Sequence, residues 1–381
     1  MTPPETLEYF EGRRDAILNE IREIVDIESP SHNVERSRVV NDWIAARVAA
    51  IPADFAIESY PADGFGDHLV IRAFPGDAKP VLLLGHTDTV HPVGSREQNP
   101  TRIDGDRFYG CGIFDMKANI ILMLEALRYF HETGTRPARP INILLSCDEE
   151  VGSYTGREHV EREAKLAEHC FVLEPSAAGR VKTGRKGTGM YVVRTHGIPA
   201  HAGLDPEKGA SAILELSRQI ERLHAMNSPD AGTTVNVCTA SGGTTTNVIP
   251  EHAECTVDVR FTSMAEAERI DANRKALASV DERVSIEITG GINRPPMERT
   301  DAVVSLFEKA RETAATFGYE LGETQVGGAS DGNFVGALGI PVLDGLGIAG
   351  DGAHTLNEHI LVSDIAKRAA LIVAMLSYQS Q

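Results

Sequence analysis

Leu7, Phe10, Ile17, Ile21 and Ile24 recur at helical spacing, and this predicts an amphipathic helix over residues 5–27. The run that opens VLLLGHTDTV (81–90) is wholly apolar, the pattern of a strand covered on both faces. Residues 115–131 read as a helix, with Asp115 near its start and Ile120, Met123, Leu124, Leu127 and Phe130 on one side. INILLSC (141–147) and CFVLEP (170–175) are further apolar strands. Apolar strands separated by helices predict a mainly parallel sheet with helices on both faces.

The pattern changes near residue 184. RKGTGMYVVRTHG (185–197), TTVNVCTASGG (233–243), AECTVDVRF (253–261) and VSIEITG (284–290) read as strands with one wet face. Helices are predicted over 207–226 and 266–280. This is the pattern of a small antiparallel sheet with helices on one face. The earlier style returns with a helix over 301–317, an apolar strand GIPVLDGLG (339–347) and a helix over 362–379. The simplest organisation is one α/β domain in two pieces, residues 1–183 and 293–381, interrupted by a smaller insert over 184–292.

Composition narrows the partners. The 381 residues suit two domains, and 42% hydrophobic residues are enough for real cores. With 37 Lys+Arg against 55 Asp+Glu the formal net charge is −18. That excess repels phosphate backbones and anionic lipid, so neither nucleic acid nor a membrane surface is an expected partner. Cys111, Cys147, Cys170, Cys238 and Cys255 form no CxxC pair and are expected to be reduced, buried thiols. The N-terminal MTPPETLEYFEGRRDAIL lacks a basic start followed by an apolar stretch. No apolar run approaches the ~20 residues that span a bilayer. A cytoplasmic protein is the expectation.

The candidate chemistry lies at strand ends, where open parallel sheets bind ligands. VLLLG runs into His86-Thr87-Asp88; GCGIFD (110–115) brings Asp115; INILLSC runs into Asp148-Glu149-Glu150; CFVL runs into Glu174-Pro175; IPVLDGLGIAGDGAH (340–354) leads to His354. His86, Asp115, Glu150, Glu174 and His354 make a set of two histidines and three carboxylates that suits two divalent ions, zinc foremost. Five residues give each ion three ligands only if one carboxylate bridges, and Asp115 is placed to do so. Asp88 is expected to accept the imidazole N–H of His86. Each residue also has an ordinary structural use: Asp115 as a helix cap, Asp88 as a turn residue, Glu174 as a solvated acid. All five at one sheet edge would then be coincidence. A nucleotide-binding protein would need a glycine-rich phosphate loop after the first strand, and GHTDTV offers acid there. A binding protein without catalysis would have lost a ligand or the acidic pair, and both are intact.

Taken in order, GHTDTVHPVG, GCGIFDMKANI, LLSCDEEVGS, VLEPS and AGDGAH resemble the dizinc aminoacylase/carboxypeptidase family, whose members include acetylornithine deacetylase, succinyl-diaminopimelate desuccinylase and bacterial glutamate carboxypeptidases. The resemblance runs from about residue 80 to 372 and is nearest the glutamate carboxypeptidase branch. It implies an α/β, mainly parallel-sheet zinc-peptidase domain carrying an inserted α+β, ferredoxin-like lid that makes a homodimer. It implies that His86, Asp115 and Glu174 hold one zinc, and Asp115, Glu150 and His354 the other, with manganese or cobalt as alternatives. Glu149 becomes the general base and Asp88 orients His86, while Asp148 is left with a structural, hydrogen-bonded role. GIPAHAGLDPEKGA (197–210) matches the lid motif whose His201 reaches the neighbouring subunit's active site. Asn247, Arg260 and the glycine-rich loop GGASDG (327–332), with Gly328, match segments that hold a substrate bearing a free carboxylate. His201, Asn247 and Arg260 also have plain structural uses, in a turn, a bend and a wet strand. Ala118 stands where the family often has glycine after the lysine, a change that a helix tolerates. The implied activity is hydrolysis of a peptide or N-acyl amino acid, as a glutamate-type carboxypeptidase, an N-acyl amino acid deacylase or a dipeptidase.

Overall fold

A computed structural model describes residues 2–378. The chain forms two compact units. One holds the described residues up to Gly184, with Arg299–Val326 and Ser330 onward; the other holds Arg185–Glu298 and Gly327–Ala329.

The first unit is built on a six-stranded sheet in the order Ala56–Ala62, Gly66–Ala73, Ile141–Ser146, Val81–His86, His169–Val172, Val342–Leu343. Its last four strands are parallel, and an antiparallel hairpin, 56–73, extends one edge. Val81–His86 and Ile141–Ser146 are buried at every position, which is why they read as unbroken apolar runs. Because they lie side by side in register, Val81 against Ile141 and His86 against Ser146, both deliver their polar C-terminal loops to the same edge. Helix Ala118–Thr133 packs Ile120, Met123, Leu124 and Leu127 into the core beside Leu83 and Ile143.

Several boundaries differ from the sequence expectation. The first helix is two, Pro3–Gly12 and Arg14–Val25, broken at Arg13. The apolar spacing runs through the break unchanged, and the guanidinium of Arg13 is drawn to the buried Glu125 at 2.6 Å. The helix expected from 115 begins regularly at Ala118, because Asp115 and Met116 have non-helical torsions. The strand expected over 339–347 is only Val342–Leu343, since the glycines that follow turn the chain toward His354. The last helix is Ile365–Leu376; residue 379, its expected end, lies outside the described residues. Among the described residues no helix is long and apolar enough to cross a membrane.

The second unit follows the order strand Gly187–His196, helix Ala212–His224, strands Thr234–Gly242 and His252–Phe261, helix Met264–Lys275, strand Ser285–Arg294. All neighbours pair antiparallel, with Gly187–His196 between His252–Phe261 and Ser285–Arg294 and with Thr234–Gly242 at one edge. This is the ferredoxin-like arrangement. Strand Gly187–His196 alternates between buried and partly exposed positions, and its buried face (Tyr191, Val193) meets Leu216, Leu223 and Ile270 from the helices. The helix expected over 207–226 starts later, at Ala212, where the Ser211 hydroxyl accepts the amide of Leu214; the helix expected to reach 280 stops at Lys275. The five cysteines are unpaired, and four are buried as expected. Cys238 is exposed, because it lies at a register shift in the edge strand Thr234–Gly242.

Candidate metal centre and active site

The carboxylate of Asp115 faces two histidines, and each histidine faces a further carboxylate. One oxygen of Asp115, Oδ1, lies 3.2 Å from His86 Nε2, and the other, Oδ2, lies 3.4 Å from His354 Nε2. Glu174 Oε1 stands 3.4 Å from the same nitrogen of His86, and Glu150 Oε2 stands 3.2 Å from that of His354. Two nests result, joined by the two oxygens of one carboxylate. His86, Glu149 and Glu174 each offer a donor atom within 4.8 Å of the others, and so do His86, Asp115 and Glu150.

Local chain geometry explains how these side chains arrive. His86 is the last residue of its strand and is 1% exposed. The Asp115–Met116 peptide is cis, and Asp115 stands just before the regular helix. His354 has φ +65, a left-handed torsion that is uncommon for a residue with a Cβ and is concentrated at functional sites. Gly347 lets the chain pass close to Glu174, since a Cβ there would meet the Glu174 carbonyl at 2.6 Å and Asn119 at 2.4 Å.

The three acids at 148–150 divide their work. Asp148 is fully buried, and its Oδ2 accepts the Thr155 amide at 2.7 Å and the Thr155 hydroxyl at 2.8 Å, while its carbonyl accepts the amide of Ser153. It ties down the turn from behind. Glu149 and Glu150 project from that turn toward the histidines. Asp88 differs from expectation. The nearest acceptor for His86 Nδ1 is the backbone carbonyl of Asp88, at 2.9 Å, with the carboxylate at 3.4 Å. That carboxylate instead accepts the Glu149 and Glu150 amides, at 3.2 and 3.1 Å, and the Ser31 hydroxyl at 2.7 Å. Asp88 thus orients the histidine mainly through its main chain and the acidic turn through its side chain. Ser31 and Asp331 were not singled out from the sequence. Asp331 accepts the hydroxyls of Ser146, at 2.9 Å, and of Ser153, and so steadies the same turn.

The electrostatics ask for a cation. Burial opposes charge on His86, yet hydrogen bonds to Asp115, Asp88 and Glu174 hold its pKa well above the ordinary value. Hydrogen bonds to Asp115 and Glu150 raise His354 to about 10. Burial likewise opposes charge on Asp115, but the two imidazoles outweigh it and hold that carboxyl well below the usual range. Burial pushes Glu150 up, and its Oε1 is buried without a hydrogen-bond partner among the described residues. An orphaned carboxylate oxygen, imidazole nitrogens facing carboxylates, and a donor set of nitrogen and oxygen fit bound divalent ions.

The remaining candidates lie in the second unit. His201 is exposed and its Nδ1 accepts the amides of Gly203, at 3.1 Å, and Leu204, at 3.2 Å. The adjacent Ala202 amide donates to the Asn247 carbonyl at 2.9 Å, which brings His201 and Asn247 onto neighbouring segments. Arg260 makes a two-pronged ion pair with Asp258, at 2.8 Å. The carbonyl of Gly328 accepts from Arg185 at 3.2 Å.

Comparison with known proteins gives consistent findings. The family model of Peptidase family M20/M25/M40 matches residues 82–378. The chain is 29% identical over 369 residues to carboxypeptidase G2 from Pseudomonas sp. (strain RS-16), covering 93% of this chain and 86% of that one. It is 31% identical over 317 residues to succinyl-diaminopimelate desuccinylase from Delftia acidovorans, covering 77% and 80%. The crystal structure of aminopeptidase PepT from Bacillus cereus shares the fold, with TM-score 0.76 at 24% identity over 96% of this chain and 98% of that one.

Proposed function

From the premise that this chain belongs to Peptidase family M20/M25/M40 and is a hydrolase of the metallopeptidase and amidohydrolase kind, we propose that it cleaves the amide bond next to a free carboxylate, as a glutamate-type carboxypeptidase does. The observation that carries the reading is the bridging geometry of Asp115, with one oxygen toward His86 at 3.2 Å and the other toward His354 at 3.4 Å. His86, Asp115 and Glu174 would hold one zinc, and Asp115, Glu150 and His354 a second; manganese or cobalt suit the same donors. Ions bound there would supply the positive charge that lowers the pKa of a water and polarises a carbonyl.

The chain's own residues do the rest. Glu149 takes a proton from the attacking water, and the water oxygen adds to the amide carbon. As the C–N bond breaks, Glu149 returns that proton to the leaving nitrogen. His201, contributed across a homodimer, donates a hydrogen bond to the developing oxyanion. Arg260 and Asn247 anchor the substrate carboxylate beside the loop containing Gly328, a local cation within an acidic protein. Asp88 keeps His86 and the Glu149 turn in place.

The likeness to a succinyl-diaminopimelate desuccinylase favours a second reading, deacylation of an N-acyl amino acid. A panel of N-acyl amino acids, dipeptides and glutamate-terminated amides, assayed with zinc-replete enzyme for free amine, separates the two. Release of C-terminal glutamate as the best reaction supports the first reading. Preference for a short acyl group on another amino acid replaces it with the second.

A further inference from the structure

Beyond the residues that face the metal nests, one buried carboxylate connects the loops that carry them. Glu358 is 0% exposed. It directly precedes strand His359–Leu361, which pairs antiparallel with Arg107–Tyr109, and the ladder continues one step as the Gly110 amide donates to the Glu358 carbonyl. This pairing sends the side chain back into the loop that follows Tyr109. There Oε1 accepts the amides of Phe114, at 2.8 Å, and of Asp115 itself, at 2.9 Å. Oε2 accepts the amide of Gly112, at 2.8 Å, and faces His91 Nε2 at 2.6 Å. Gly112 has φ +71, a torsion that glycine adopts without strain.

Those four partners belong to two ligand-bearing segments, and Glu358 itself lies on a third. His91 is on the loop that leaves His86; Gly112, Phe114 and Asp115 form the loop of the bridging carboxylate; Glu358 stands four positions after His354 in AHTLNEH (353–359). A carboxylate taken out of water is strongly disfavoured unless fully hydrogen-bonded, and here the groups that satisfy it are His91 and the backbone of the loop that carries Asp115. We propose that Glu358 is a positioning residue that locks the His86, Asp115 and His354 loops together, so that the two oxygens of Asp115 are already aimed at the two histidines before metal binds. This rests on the metal-dependent reading above. A glutamine at 358 would turn an NH2 donor toward donors already present, the Gly112 amide or those of Phe114 and Asp115, so the loop of Asp115 would lose its hold while the volume stays filled.

The test uses the full chain with Glu358→Gln and Glu358→Asp, stripped of metal by a chelator and then titrated with zinc alone against a chromophoric competitor. Melting of the metal-free protein is followed by circular dichroism. Folded Glu358→Gln should bind zinc ~10–100-fold more weakly, the scale typical of losing a group that orients metal ligands, and Glu358→Asp should recover part of the loss. A purely structural role would lower the melting temperature and leave the zinc affinity of the folded protein alone. If neither variant folds, His91→Ala, which removes one of the four partners, should still weaken zinc binding by a smaller factor. Zinc affinity within about twofold of the parent, in a folded Glu358 variant or otherwise in His91→Ala, overturns the proposal. A parent protein that binds no zinc would instead bring down the metal-dependent reading itself.

Discussion

The two units carry their candidate residues in opposite ways. In the first, His86, Asp115, Glu149, Glu150 and Glu174 sit at the ends of largely buried strands or loops and are held by partners from other parts of the chain, while His354 is half exposed in its loop. In the second, His201 is exposed and its ring is satisfied by its own turn, while Arg260 pairs with Asp258 two residues away. Around His86, Asp115 and Glu174 the core fixes where the donors are, and their mutual charges favour a cation. The second arrangement is held by short-range contacts: the His201 ring by the amides of Gly203 and Leu204, and the half-buried Arg260 by Asp258 on its own strand. Under the proposed function, metal binding and substrate recognition would fall to residues held in these two different ways.

That contrast can be broken at either end. Asp115→Asn should have the largest effect, loss of metal and of nearly all turnover, because a neutral amide cannot bridge two cations; metal analysis beside an amide-hydrolysis assay checks it. His201→Ala should keep its metal and lose about 10²–10³ in kcat, the usual scale for removing one oxyanion donor. Mixing it with Glu149→Ala subunits should restore partial activity if the histidine acts across a dimer. Arg260→Ala should chiefly raise KM, by roughly 10–100-fold, the weight of a hydrogen bond to a charged group, and less for substrates whose carboxylate is amidated. Met190→Ala, at a side chain 58% exposed on the second unit's sheet, should change stability by no more than about 0.5 kcal/mol in a denaturant titration.

Much of the first unit could be read directly from the sequence because burial on both faces erases polar alternation. Val81–His86 and Ile141–Ser146 stand out for that reason, and with them the polar residues at their C-terminal ends. The ferredoxin-like insert could be read from the opposite signal, the strict alternation of Gly187–His196 and His252–Phe261. What escaped had no periodic signature. The break at Arg13 leaves the apolar spacing intact, and only its partner Glu125, distant in sequence, marks it. The hairpin over 56–73 and the helix Val34–Ala49 mix polar and apolar positions too evenly to declare themselves. Glu358 follows an asparagine in a polar loop and reads as a solvated acid, yet it accepts three backbone amides in the interior. Asp88 was visible as a partner of His86, but its carboxylate reaches the Glu149 turn, a contact that no spacing along one strand reveals. Ligands announce themselves by chemical type at strand ends; the groups that aim them are recognisable only once the loops are in place.

The most direct test of the central claim is kcat and metal content measured together for Glu149→Ala. The account predicts a folded protein with its metal retained at the parent level and a kcat lowered by at least about 10²–10⁴-fold, the loss expected when the group that carries the proton is gone. Turnover near that of the parent, with metal in place, would contradict it.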